Sequence, residues 1–518
     1  MAHSSRGWDV RCWIGRRSLM RALVASFLGL AFGVFGFVAA MGLTGTWLAA
    51  APIAVLVAVA SGVWTFRRQI VPLDESCPRA LRIVSCLAAV LALVVLGRLA
   101  VFMVAPSQVG YSSVPTSSWE TRHSCLTAYF VAGKALSSQP NVYADSLYTA
   151  RDDDPTKIRK PLKLGAFDVD VYEYPPPFLL LPRALRLLAP EFLPLRMLWF
   201  GICGSVVLLA MLLVARMLGP SAGTRALLLS PLVFAALPTL SVLQKGNVQV
   251  LIIAAAMLAM VLFERRRWAA GGVLLAFVTL SKLYPGMLVV YLIARRQWRA
   301  LAWTAGAGAV LLVASFLDVG SATYRAFFDR LPAILGGEAF PAFRNPMAMA
   351  INFSVPGLVF KLKLFGVPGM SFAASKVVGW LYTVVVVWVT FLAGRRVLPD
   401  SEKPLVWLAI LTLATLRSPF LPQAYAAFPP LWLLTLLAAT YLPSTRVLGW
   451  TLLGWAALNV FWPLDWPMDP RALAIANLVP QVVTIALAVL GLRRAVTEED
   501  ERVVGATERA ALAPVMSH

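Results

Sequence analysis

The sequence predicts an all-α membrane protein that crosses the bilayer many times, and three observations predict it. Hydrophobic residues make up 59% of the 518 positions and charged residues only 14%, against about a quarter charged in a soluble domain. Mean hydropathy is +0.75. Apolar runs of about 20 residues recur from end to end, and each can cross about 30 Å of hydrocarbon as a helix.

The charges agree with this class. The net charge is +21, but Lys and Arg stand in short clusters between apolar runs, as the positive-inside rule expects. No basic groove interleaved with aromatics appears, which argues against nucleic acid. Anionic lipid headgroups suit the clusters better. Five cysteines (Cys12, Cys77, Cys86, Cys125, Cys203) form no CxxC pair. Most read as small apolar fillers, and Cys125 alone is expected to face an extracytoplasmic space. The run after Arg16, Arg17 and Arg21 lacks a small-residue cleavage site, so it reads as a retained first helix.

Basic markers then set the path of the chain. Arg16-Arg17 places the N-terminus in the cytoplasm. Spans are expected over 20–42 and 47–66, the second closed inside by Arg67-Arg68. A third, 81–105, leads out to the longest polar stretch, rich in Ser, Thr, Asp and Tyr. The proline-studded piece 178–194 is too interrupted to span and reads as an interfacial amphipathic segment, with Arg183 and Arg186 toward headgroups. Further spans follow over 195–217, 226–242 and 247–263, the last stopped by "ERRRW". The stretch 268–294 has basic clusters at both ends and a break at "SKLYPG", so it reads as a half-depth hairpin. Then come 300–316, 375–394, 405–416, 425–441, 447–462 and 472–492. The expectation is about 14 crossings or half-crossings with both ends cytoplasmic. Residues 1–80 would hold the N-terminus and two extra spans, 81–492 the transmembrane body, and 493–518 a cytoplasmic tail. Extracytoplasmic loops would cover 106–177, the larger, and 318–372.

The first loop collects the chemistry. It carries Glu120, Arg122, His123, Asp145, Asp152, Asp153, Asp154, Asp168, Asp170 and Glu173. A carboxylate near the membrane surface can deprotonate a hydroxyl nucleophile once partial burial raises its pKa. Glu120, Asp168, Asp170 and His123 are the catalytic candidates; the plain alternative is solvated loop charge, which fits Asp152–Asp154 best. "YEYPPP" adds Tyr172 and Tyr174 as headgroup-level anchors and three prolines that favour a rigid extended run. Within the membrane, "LQKGNVQVL" places Lys245, Asn247 and Gln249 at the head of a span, and "LSKLYPG" places Lys282 at a broken turn. Ionisable groups at such depth usually face a cavity or partner, and two lysines suit a phosphate or diphosphate. The alternative is snorkelling to the interface. "RSPFLPQAY" adds Arg417, Gln423 and Tyr425. No Walker loop and no Rossmann glycine fingerprint is present, so an enzyme here would need an activated donor delivered by a lipid.

These stretches, in order, resemble glycosyltransferase family 87, polytopic GT-C enzymes that include the mycobacterial mannosyltransferases of phosphatidylinositol mannosides. "AYFVAGKALSSQPNVY" is similar to the family's loop helix and "YEYPPPFLLLPRAL" to its Tyr-Pro-Pro motif. The strongest likeness covers Gly246 to Ala300, and "SPFLPQAYAAFPPL" is similar to the late Ser-Pro segment. The resemblance implies a GT-C fold in the plasma membrane. It also implies a polyprenyl-phosphate sugar donor and transfer of mannose or arabinofuranose to a lipid or glycan acceptor on the extracytoplasmic side. Lys282, Lys245 and Arg417 would hold the donor phosphate, while Asn247, Gln249, Tyr425 and Tyr174 would orient donor or sugar. Inversion is expected, since no pair of catalytic carboxylates is identifiable. The family's loop helix commonly opens with Asp; here that neighbourhood reads "HSCLTAYF" and the nearest acid is Glu120. The late motif often carries His before Tyr; here Ala424 precedes Tyr425. Three alternatives follow: Glu120 is the base, an acid of "FDVD" is, or the chemistry is lost. Metal dependence stays open: Asp168 and Asp170 could hold a hard divalent cation, but few oxygen ligands are assured. A lipid-linked-sugar flippase or a non-catalytic polyprenyl-binding subunit are the other classes.

Overall fold

The computed structural model describes residues 10–136, except 68–76, then 138–139, 141–150, 160–442 and 444–497. Side chains of 10–19, 67, 494, 496 and 497 are outside that description, as are the acidic run Asp152–Asp154 and the tail from residue 498. The inner markers Arg16, Arg17, Arg67 and Arg68 therefore lie outside it too.

The first three helices, α1 (Val10–Thr44), α2 (Trp47–Arg67) and α3 (Arg79–Val104), stand where the apolar runs put them. Small residues set their packing, because lipid offers no hydrophobic drive between helices. Gly29 and Gly33 of α1 bring its backbone against Ala58 of α2; an added Cβ there would lie 2.8 Å from Ala58 atoms.

The first loop is not a loose polar stretch. It holds α4 (Ser118–Arg122), α5 (Leu126–Ala135) and a small sheet of β1 (His123–Ser124), β2 (Lys163–Leu164) and β3 (Phe167–Val169) in the order β1-β3-β2. β1 runs parallel to β3 with His123 opposite Asp168, and β2 runs antiparallel to it. This is a departure from an all-α expectation, and its reason is local: short strands satisfy backbone groups that the prolines and glycines keep out of helix. Ser117 caps α4 by accepting from the Glu120 amide. Asp465 accepts from Ser117, Ser118 and the Trp119 amide, tying the loop to a distant segment.

"YPPP" forms a 3₁₀ turn (Pro176–Leu179) that leads into α6 (Leu180–Leu188). α6 is amphipathic as expected, with Leu187 and Leu188 exposed. Arg183, however, pairs with Asp318 at 2.9 Å and Arg186 lies 5.2 Å from the Phe130 ring. Then follow α7 (Phe192–Met217), α8 (Pro220–Phe234), α9 (Leu237–Lys245), α10 (Gln249–Glu264), α11 (Trp268–Ser281), α12 (Met287–Ala294) and α13 (Trp298–Gly336). α7 receives α1 through glycine: a Cβ on Gly204 would come 2.1 Å from the Phe35 ring. Buried Arg196, at the head of α7, donates to the carbonyls of Phe102 and Met103 at the end of α3, groups a helix C-terminus leaves without partners.

The expected span 226–242 is two helices bent by 66°. The break at "SKLYPG" exists: α11 stops at Ser281, Lys282 is extended and a 3₁₀ turn (Tyr284–Gly286) starts the next piece. α13 runs 39 residues, well past the expected end near residue 316, kinked at Gly320 where φ is 77°. So the first part of the expected second loop is helical. The remainder comprises α14 (Pro346–Ala350), α15 (Leu358–Leu364), α16 (Phe372–Arg395), α17 (Lys403–Thr415), α18 (Gln423–Ala426), α19 (Phe428–Tyr441), α20 (Thr445–Leu458) and α21 (Pro470–Thr497).

Among the described residues, eight helices are long and apolar enough to cross a membrane, or nine counting the bent pair. The expected count of about 14 took in half-crossings, and helix length separates the two kinds. α10 has 16 residues and rises about 24 Å, short of the hydrocarbon thickness; α11, α12 and α17 are no longer. Basic residues meet at one end of this helix set: Lys403 pairs with Glu264 and Asp400 at 2.6 Å, and Arg295 donates to the Arg396 carbonyl. The other ends of α10, α11 and α17 lie under the first loop.

The α1–α7 contact carries a test. Gly204→Leu should destabilise the protein by about 1–3 kcal/mol through overpacking on Phe35, seen as a lower thermal midpoint in detergent. Gly97→Leu, where an added Cβ meets nothing within 4 Å, should leave that midpoint unchanged.

Candidate active site

The site forms where three helix breaks meet the first loop. α9 ends on Gly246, which takes the left-handed conformation (φ 67°) and turns the chain into α10. A side chain there would be strained, and its Cβ would lie 3.1 Å from Leu126. The turn aims Lys245, Asn247 and Gln249 at the loop. The break after α11 aims Lys282, and the short α18 aims Tyr425.

Glu120 is buried, and α9 surrounds it. Its carboxylate accepts from Lys245 Nζ at 2.6 Å and Ser241 Oγ at 2.7 Å, and its backbone carbonyl accepts from Gln244 at 2.7 Å. Lys245 is 3% exposed and also lies 5.5 Å from the Tyr425 ring. Two residues given separate tasks by the sequence therefore neutralise each other. Asp168 turns away to Lys163, its partner across the sheet.

Asp170 is different. It faces the His123 ring, with Nε2 3.8 Å from Oδ2. Its own Val171 amide donates to Oδ1 at 3.0 Å. The Asp170 side chain keeps 36% of its surface open, yet protein encloses it, so it lines an internal recess rather than the outer surface. Burial pushes its carboxyl up to about 6, against the pull of the Val171 amide. His123 stacks on Trp119 with centroids 4.5 Å apart, and its Nε2 is 3.0 Å from the Tyr425 hydroxyl. Burial and then Lys245 lower its pKa to about 3, so the ring is neutral. Cys125 Sγ lies 3.1 Å from the same hydroxyl and accepts from Asn247 Nδ2 at 3.3 Å. Burial and then Asp170 push this thiol up to about 12.

Lys282 donates to Gln249 Oε1 at 3.0 Å and its amine is 5.3 Å from the Tyr174 ring. No carboxylate pairs with it among the described residues. Gln249 donates in turn to Thr415, and Tyr129 donates to the Tyr174 hydroxyl at 3.0 Å. Glu173 has no hydrogen-bond or ion-pair partner among the described residues. Burial, then the charge of Asp170, hold its carboxyl well above the ordinary range. Burial, then the charge of Cys125, hold the Tyr174 hydroxyl well above its ordinary range.

The structure thus gathers Glu120, His123, Asp170, Tyr174, Lys245, Asn247, Gln249, Lys282 and Tyr425. It leaves out Asp168 and also Arg417, which donates to Thr383 and lies over Trp380. Sequence reasoning passed over Cys125 and Glu173 as site residues. The i, i+2 spacing of His123 and Cys125 was the available signal for the first. Nothing in the sequence marked Glu173 off from Asp168 and Asp170.

A many-spanning helical membrane protein with an enclosed polar recess of acids, amides and a lysine defines the class. The family model of glycosyltransferase family 87 matches residues 172–419, and a glycosyltransferase is the enzyme class this chain joins. The matched segment takes in "YEYPPP", the Gly246 turn and Lys282, while the loop helix α5 lies outside it. No curated protein and no solved structure matches the chain.

The pair of Glu120 and Lys245 predicts a stability effect. Removing one buried partner strands the other, at about 3–5 kcal/mol. Glu120→Ala should lower the unfolding midpoint strongly, and Glu120→Gln with Lys245→Met should recover most of it. Equal midpoints for wild type and Glu120→Ala would refute the clamp.

Proposed function

We propose that the protein moves a sugar from a polyprenyl-phosphate donor to a lipid or glycan acceptor at the extracytoplasmic face of the plasma membrane. Mannose and arabinofuranose are the sugars of choice, on the family resemblance. The observation that carries the reading is Lys282: an enclosed amine held, among the described residues, only by an amide oxygen and a ring. A buried cation without a counter-ion is costly, and an anionic ligand would relieve it. A lipid-borne phosphate reaches a helix break from within the bilayer, where a nucleotide cannot.

The acceptor hydroxyl attacks the anomeric carbon as the carbon–oxygen bond to phosphate breaks. The electron pair leaves on the phosphate, which Lys282 neutralises with Gln249 beside it. Glu173 takes the proton. It is preferred to Glu120 because the Glu120 carboxylate is already filled by Lys245 and Ser241, and to Asp168 because Lys163 holds that acid. One displacement inverts the anomeric centre. The basic clusters at the far end of the helix set support an extracytoplasmic position for the recess, and GT-C architecture is the fold in keeping with this arrangement.

Purified protein given labelled polyprenyl-phosphate mannose or arabinose and membrane lipid extract tests the reading. Lys282→Ala should lower kcat/KM by about 10²–10³-fold, as loss of a charge-stabilising contact does. Glu173→Gln should lower kcat by about 10²–10⁴-fold; full transfer by this variant would remove Glu173 as base.

The raised Glu173 carboxyl also sets a pH dependence. The base works deprotonated, so activity is present above its pKa and lost as pH falls through it. The acid limb of kcat/KM should sit above the ordinary glutamate range and disappear in Glu173→Gln.

A further inference from the structure

The transfer step leaves His123, Cys125 and Asp170 without a task. Their ligand atoms all lie within 4.8 Å of one another. His123 Nε2 is 3.7 Å from Cys125 Sγ and 3.8 Å from Asp170 Oδ2. A tetrahedral zinc, with bonds of about 2.1 Å to nitrogen and 2.3 Å to sulfur, holds those two ligands about 3.6 Å apart. The two edges at His123 Nε2, 3.7 and 3.8 Å, lie within about 0.5 Å of that geometry.

The surroundings fit an ion as well. Asn247 Nδ2 donates toward Cys125 Sγ at 3.3 Å, the outer contact a metal-bound thiolate uses. The Tyr425 hydroxyl stands 3.0 Å from Nε2 and 3.1 Å from Sγ, close enough to meet a fourth ligand. Charge balances too: one thiolate, one carboxylate and a neutral imidazole cancel a divalent ion. The adjacent Glu120 and Lys245 already cancel each other, so the metal site would add no net charge to the recess. Thiolate with imidazole selects zinc or cobalt over magnesium and calcium.

We propose that His123, Cys125 and Asp170 form a three-ligand site for a borderline divalent metal, zinc foremost, whose fourth position beside Tyr425 opens to the recess. Three protein ligands with one open position is the pattern of zinc sites that bind a substrate oxygen. The oxygen here comes from a phosphate, and this assignment alone rests on the transfer reading. Lys282 donates to Gln249, the Gln249 amide donates to Asn247, and Asn247 donates to Cys125, so the proposal sets the phosphate between lysine and metal.

The test uses the full chain in detergent, stripped with chelator and titrated with cobalt. One cobalt should bind per chain, with a near-ultraviolet thiolate-to-cobalt band and the visible bands of a tetrahedral ion. Cys125→Ser should abolish the near-ultraviolet band. Asn247→Ala should keep it and weaken binding about 10–100-fold. Inorganic phosphate should shift the visible bands. Substoichiometric binding by wild type, or a spectrum unchanged in Cys125→Ser, would overturn the site and leave a hydrogen-bonded cluster only. If Cys125→Ser fails to fold, Asp170→Asn must keep the near-ultraviolet band and change the visible ones. Since no sugar donor is present, failure here leaves the transfer reading standing. A Lys282→Ala protein with the full cobalt spectrum and undiminished transfer would sink that reading instead.

Discussion

The buried pair of Glu120 and Lys245 is the constraint on which the site depends. It joins the first loop to α9, and the Gln244 contact to the Glu120 carbonyl doubles the link. A salt bridge this deep contributes little net stability, because desolvation offsets the attraction. Its value is positional. Only one placement of α4 satisfies both charges, and that placement sets β1, hence His123 and Cys125, over the α9–α10 turn. Ser124 confirms the seating by donating to the Lys245 carbonyl at 3.1 Å.

Helix breaks supply the rest of the recess. A continuous span would keep its backbone groups to itself. Here the Gly246 turn, the Lys282 break and the short α18 each end under the loop, so polar side chains gather at one depth. The prolines of "YPPP" act from the other side. They turn the chain so that Tyr174 reaches the Lys282 amine at the end of α11 while the buried 3₁₀ turn packs against α11 and α13. Burial then sorts the acids: Glu120 and Asp168 meet lysines, whereas Asp170 and Glu173 meet no strong base.

The same arrangement explains how one small volume holds a cation, acids and a thiol. Each charge that is not needed is cancelled locally. Those left over are Lys282 and Glu173, which we assign to transfer, and the His123, Cys125 and Asp170 set, which we assign to a metal. The neutral amides of Asn247 and Gln249 bridge the two groups.

Much of the fold was legible in the sequence. Apolar run length and basic clusters located most helices within a few residues, the break at "SKLYPG" included, since hydropathy and proline act locally. Run length does not reveal where a helix bends or stops short, as α8–α9 and α10 do, so it does not separate full crossings from half-crossings. Lys282, Gln249 and Tyr425 were readable as site residues because polar groups are costly at membrane depth. Which acid faces which cation was not readable. Glu120, Asp168, Asp170 and Glu173 are alike in composition and neighbourhood, and only the docking of the loop on α9 decides which carboxyls are neutralised. The sequence determined the solvent each segment prefers; the tertiary structure alone decided the pairings, because charge interactions depend on distances between residues more than a hundred positions apart.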